Sequence, residues 1–186
     1  MLAASTGTAH LVVGYPGTTR HHADKYALDV AAAALSGLGG RLSELRERGL
    51  VYQAEAFSME LLDPGYFAVY AATEPDSAAT VLEVVDRHLR ALGEAPLSAY
   101  ELRRARQQRI GTFERSLQAL DTEALSLAYD WCYGLGPLGH RAYVPAISKV
   151  SAGDVQRVAR KHLAPGLRVS ASVVPFGGEE QGGVGE

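Results

Sequence analysis

Between Val51 and Ala72 the hydrophobic period of the chain is two, whereas on either side it is close to the roughly 3.6 of a helix, and this switch limits the possible folds more than any other feature. Val51, Gln53, Glu55, Phe57 and Met59 alternate with Tyr52, Ala54, Ala56, Ser58 and Glu60, as in a strand with two unlike faces. Asp63-Pro64-Gly65 is a turn signal, and Tyr66 to Ala72 returns as a second strand rich in aromatic and small residues. A hairpin lodged between helices excludes a purely alternating parallel-sheet fold. It predicts the α+β class: a mostly antiparallel β-sheet of about four strands with helices packed on one face.

The flanking segments fill in that plan. Leu11-Val12-Val13-Gly14-Tyr15, closed by Pro16-Gly17, reads as a strand. Asp24 opens a helix with Leu28, Ala31 or Ala32, and Leu35 on one face, stopped by Gly37, Gly39 and Gly40. A short helix from Arg41 to Arg48 keeps Leu42 and Leu45 inward. Asp76-Ser77 caps a helix carrying Val81, Leu82, Val85 and Leu89. Ser98-Ala99-Tyr100-Glu101 has capping-box spacing. It starts a long helical region whose stripe of Ile110, Phe113, Leu117, Leu120, Ala124, Leu127 and Trp131 should face a core or a partner helix, with Cys132 buried inside it. Pro145 to Val150 reads as a connector, Ser151-Ala152-Gly153-Asp154 as the start of a capped helix, and Arg168 to Pro175 as the last strand. A single domain over residues 1–176 and a flexible Gly/Glu tail over 177–186 are expected.

At 186 residues, 47% of them hydrophobic, the chain can bury roughly 70% of its unfolded surface without a disulfide or a structural metal. A net charge of -3 argues against a nucleic-acid partner. The start of the chain lacks a basic segment followed by a long apolar run, and no window is apolar enough to span a bilayer, so a soluble protein with no membrane partner is expected.

The search for chemistry is short. Among the histidines, His21-His22-Ala23-Asp24 is the only cluster; neither H-E-x-x-H nor H-x-x-E-H occurs, so no metal site is expected. His88 and His162 read as cations favoured near helix C-termini. No G-x-S-x-G elbow is present, and the Gly37 to Gly40 run matches no phosphate-binding fingerprint. Arg103, Arg104, Arg106 and Arg109 read as a solvated basic helix face. No catalytic set emerges.

Particular runs say more. Leu38-Gly39-Gly40-Arg41-Leu42, with Glu44 through Tyr52 (E-L-R-E-R-G-L-V-Y), resembles the Gly-rich segment and R-L-x-x-E-L-R-E-x-x-G-L-A-Y motif in the second, non-zinc-binding domain of the pitrilysin/insulinase zinc peptidases. Glu101 to Ala105, Gly111-Thr112-Phe113-Glu114, Leu125 to Tyr129 and Tyr133 to Gly136 are similar to that domain's long-helix region. Val150 to Ala159 and Arg168 to Pro175 are similar to its last helix and strand. The likeness runs from Leu11 to Pro175.

The resemblance implies an antiparallel sheet with helices on one side, in agreement with the periodicity. In that family a first domain carries zinc on H-x-x-E-H plus a later glutamate, and a second helps grip the peptide. It therefore implies no cofactor in this chain and zinc in a homologous partner domain or subunit. It implies a peptide substrate, no catalytic residue here, and substrate contact through Arg46 and Tyr52. The Arg46 to Tyr52 interval is one residue shorter than in the family pattern, which turns a helical donor by about 100°. Two functions are expected on these grounds: a non-catalytic substrate-binding domain of a zinc metallopeptidase, or a scaffold module of the same fold with no part in proteolysis. The wealth of Ala, Arg, Gly and Leu points to a bacterial source, cytoplasmic or periplasmic.

Overall fold

In the computed structural model, which describes residues 2–4 and 7–175, the strands are β1 (Leu2–Ala4), β2 (Ala9–Pro16), β3 (Gln53–Met59), β4 (Tyr66–Thr73) and β5 (Val169–Pro175). They form one sheet in the order β1-β5-β2-β4-β3. The expected hairpin is β3 and β4, with Phe57 opposite Ala68 and Ala56 opposite Val69. β2 pairs antiparallel with both β4 and β5, while β1 runs parallel to β5. The strand beyond the expected four is β1, whose three residues are too few to display a period. The expected tail over 177–186 lies outside the described residues.

The helices are α1 (Asp24–Leu35), α2 (Ser43–Glu47), α3 (Ala78–Glu94), α4 (Ala99–Ser116), α5 (Leu120–Cys132), α6 (Tyr143–Lys149) and α7 (Ala152–His162). β2 shows why they gather on one side. Leu11, Val13 and Tyr15 are buried, whereas Val12 between them is exposed. α1 lies at the centre of the helical layer, packed against β3, α4, α6 and α7, and every residue from Ala27 to Leu35 is buried. Its four consecutive alanines, Ala31 to Ala34, let neighbours approach closely from several directions. Phe67, Val69, Leu28, Leu35, Val81 and Val155 join one continuous core, each contributing about 1.5–3 kcal/mol by its removal from water.

α4 begins with the expected capping box. Ser98 Oγ accepts from the Glu101 amide at 3.2 Å, and Glu101 Oε2 accepts from the Ser98 amide at 2.9 Å. Burial alone would push the Glu101 carboxyl up, but its bonds to Arg41 and Ser98 pull it down to about 2. Ser98→Ala is therefore expected to destabilise the domain by about 1 kcal/mol, read as a lower urea midpoint at unchanged slope.

Three expectations change. The long helical region is two helices, broken at Leu117 to Ala119, where Ala119 is extended. Ser116 Oγ donates to the Phe113 carbonyl, and Asp121 and Glu123 fall in the first turn of α5, where a helix N-terminus favours carboxylates. The break takes the far half of the stripe off the core: Leu120 and Trp131 are exposed, and so is Cys132. Pro145 to Val150 is mostly helix α6. Pro145 sits in its first turn, where a missing N–H costs no helical bond. The arginines of α4 are not a solvated face either. Arg104 donates to the carbonyls of Ala33, Ala34 and Ser36 at the end of α1, Arg106 to that of Val150, and Arg109 to Tyr143; Arg103 alone of the four is exposed.

Candidate functional site

The segment joining α1 to β3 carries both residues picked out by sequence, and it is firmly mounted. Ser36 Oγ donates to the Ala56 carbonyl at 3.0 Å and accepts from the Ala56 amide at 2.6 Å, tying the end of α1 to β3. A Cβ on Gly40 would lie 2.2 Å from the Ser36 carbonyl oxygen, so only glycine permits the turn there. Leu45, fully buried, pins α2 to the core. Arg41 is bound to Glu101 at 2.8 Å. Glu44 gathers Arg87 at 2.6 and 2.7 Å, His88 at 3.0 Å and Arg48 at 3.2 Å. The Arg87 guanidinium, helped by Arg48 and His88, holds the Glu44 carboxyl below its usual range. Burial pushes the His88 imidazole down, against the pull of Glu44.

Arg46 follows the buried Leu45 and is exposed, its side chain with no hydrogen bond or ion pair among the described residues. With Glu44 committed to Arg87, Arg48 and His88, the Arg46 guanidinium keeps its donors free. It borders a shallow recess of about 10 Å³ with Gly37, Leu42, Ser43, Val51 and Ala54. That volume has room for no more than a water. Any peptide would therefore be met on the surface.

Gly49, at φ +67°, turns the chain from α2 toward the sheet, where most side chains would be strained. Leu50 is held by Thr73, whose Oγ1 donates to the Leu50 carbonyl at 2.5 Å. The Tyr52 amide donates to the Ala72 carbonyl at 2.9 Å. Val51 shares the recess with Arg46; Tyr52, next along an extended backbone, does not. Its ring is 63% exposed, and its hydroxyl donates to Glu74 Oε1 at 3.3 Å. Partial desolvation and the facing Glu74 carboxylate push the Tyr52 hydroxyl up, so it remains a donor. Arg46 and Tyr52 thus share one connection without meeting. The sequence reading missed Glu44 and Glu74. Glu44 has a local signal, its four-residue spacing to Arg48; Glu74 has none, since only strand pairing brings it to Tyr52.

Among the described residues, no group of three or more His, Cys, Asp and Glu side chains is placed to hold a metal ion. The one histidine cluster closes α1 onto α7. Asp24 accepts from Arg157 at 2.8 Å, Lys161 at 2.9 Å and His162 at 3.3 Å, and His22 Nδ1 accepts from the Asp24 amide. The Arg157 and Lys161 cations, with the hydrogen bond to His162, outweigh the effect of burial and hold the Asp24 carboxyl far below its usual range. Among the described residues, no helix is long and apolar enough to cross a membrane.

The family model of the peptidase M16 inactive domain matches residues 4–109. The chain is 32% identical over 180 residues to an uncharacterized zinc protease, SCO5738, of Streptomyces coelicolor, covering 94% of this chain and 38% of that relative's length. The fold matches the inactive peptidase domain of a Bordetella parapertussis protein with a TM-score of 0.82 at 24% identity, over 95% of this chain and 97% of the other. It also matches a peptidase M16 inactive domain from Pseudomonas fluorescens with a TM-score of 0.82 at 21% identity, over 94% of this chain and 43% of the other. With the family model matching more than half of the chain, the chain belongs to the peptidase M16 inactive-domain family.

Proposed function

We propose that this domain is the non-catalytic, peptide-contacting half of a two-part zinc metallopeptidase, serving peptide-bond hydrolysis only when paired with a homologous half that holds the zinc. The observation that carries the reading is Arg46: an uncommitted guanidinium on a rigidly braced segment, next to acidic residues already engaged elsewhere. A positive donor of this kind favours a peptide carbonyl as negative charge develops on it. The bracing fixes the backbone that carries the guanidinium, and its exposed side chain is ordered on binding. Tyr52 is the second contact, reaching the peptide at another point and giving up its bond to Glu74 when it does.

The scaffold reading draws on that same bond, because Tyr52 is already satisfied and lies outside the Arg46 recess. One experiment separates the two. The chain is assayed for zinc content and for cleavage of a quenched fluorescent peptide library, alone and mixed with a zinc-bearing homologous half. The peptide-contacting reading expects a zinc-free chain, silent alone, that restores cleavage on mixing. Binding to the zinc half without restored cleavage would establish the scaffold instead, and zinc with activity in this chain alone would overturn both.

A further inference from the structure

Away from the α1–β3 connection, a half-enclosed cavity of about 170 Å³ lies where α1, the end of β3, α4, α6 and the end of α5 converge. Six charged side chains line it: Arg20, Lys25, Asp29, Glu60, Arg109 and Asp130. Four of them are paired. Asp29 takes Arg109 at 3.1 Å and the Tyr143 hydroxyl at 2.5 Å. Asp130 takes Arg20 Nη2 at 3.1 Å, together with the His140 amide at 2.5 Å and imidazole at 2.9 Å.

What remains is complementary. Glu60 has no ion pair among the described residues, and its Oε1, like Arg20 Nε, is closed off from the cavity space with no hydrogen-bond partner among them. Lys25 has one bond from its ammonium, to the Arg20 carbonyl at 2.5 Å, and no carboxylate within ion-pair distance. Each buried orphan costs about 1–3 kcal/mol, and an ammonium and a carboxylate that line one cavity without pairing have a gap between them. One cation, Lys25, and one carboxylate, Glu60, are therefore left over. They match a molecule with a carboxylate and an ammonium on neighbouring atoms. A dry cavity of about 150 Å³ holds a benzene, so the space suits a few heavy atoms, and the Phe113 and Tyr26 rings in its wall would take a small apolar side chain.

We propose that this cavity binds a free α-amino acid with a small side chain, its carboxylate held by Lys25 and its ammonium by Glu60. The site is independent of Arg46 and Tyr52, so it stands or falls apart from the peptide-contacting role. Glu60 faces Lys25 and Asp29 from α1, Arg109 from α4, and Arg20 with Asp130 and His140 across the space. Burial, then Asp29, pushes its carboxyl up to about 7. Recognition of an ammonium requires the ionised carboxylate, so affinity rises with pH through that value.

The test is titration calorimetry of the whole chain with L-alanine at pH 6 and pH 8, alongside propionate, ethylamine, N-acetyl-L-alanine and L-alaninamide. The proposal expects one saturable site for alanine, tighter at pH 8, with each one-ended analogue weaker by about tenfold or more, the worth of one charged hydrogen bond. Glu60→Gln and Lys25→Met should each cost about the same factor, with far-UV circular dichroism showing that both remain folded. No saturable binding to the wild-type chain would mean a water-filled cavity and overturn the proposal. Equal binding of alaninamide or N-acetylalanine would overturn it in favour of a peptide terminus, and unchanged affinity in both variants would place the ligand elsewhere.

Discussion

Arg109→Met is expected to lower the stability of the domain by about 3–5 kcal/mol, the cost of leaving a buried charge without its partner. The Asp29 side chain is 5% exposed and lies on α1 among alanines and leucines; Arg109 Nη2 stands 3.1 Å away and is one-third exposed. The asymmetry makes the prediction specific. Without the guanidinium, Asp29 keeps the Tyr143 hydroxyl but sits in an apolar setting, whereas Asp29→Asn leaves Arg109 able to reach water and should cost less. The double variant should recover much of the loss, so a double-mutant cycle will show strong coupling. The pH dependence has a definite sign. Burial already pushes the Asp29 carboxyl up, against the pull of Arg109, and removing Arg109 raises it further. A carboxyl that holds its proton more tightly folded than unfolded makes stability fall as pH rises above the unfolded value of about 4. The deficit of Arg109→Met should therefore be small near pH 4 and grow toward pH 7 in urea titrations. A deficit that does not vary with pH would show that Arg109 acts through packing alone.

In the paired peptidase, Arg46→Ala should reduce kcat by about 10²-fold or more, as the loss of one preorganised donor to developing negative charge does elsewhere. The variant should fold like the parent, because Arg46 has no partner to lose and Leu45 beside it carries the burial. Tyr52→Phe should cost less, about tenfold, since the hydroxyl must first leave Glu74 and the net gain of one neutral hydrogen bond is about 1 kcal/mol. Arg46→Lys, which keeps the charge but loses the planar fork, should recover part of the rate. Cleavage unchanged by Arg46→Ala, with pairing to the zinc half intact, would remove Arg46 from the site.

Much of the fold was legible because it rests on local rules. The Asp63-Pro64-Gly65 turn between two alternating runs specifies the β3–β4 hairpin, and the Ser98 and Ser151 capping boxes mark the starts of α4 and α7. Periodicity failed where two helices share one apolar stripe. Spacing reports which residues face the same way, but not whether the backbone continues through Leu117 to Ala119 or whether anything lies opposite Leu120 and Trp131. It also misjudged the α4 arginines, since a helix with four closely spaced arginines looks solvated until the carbonyls closing α1 and the carboxylate of Asp29 are brought to it.

The division follows sequence distance. By itself the chain determined its class, the hairpin, the capped helices, the family likeness and the candidacy of Arg46 and Tyr52, all of which depend on residues within a few positions of one another. Only the tertiary structure decided that Tyr52 turns to Glu74 while Arg46 stays free. It alone joined Arg20 to Asp130, Asp29 to Tyr143 and Glu60 to the same cavity. Those contacts link groups up to 114 positions apart. Their energy comes from excluding water around charges, and a linear sequence does not show which charges will lose their water together.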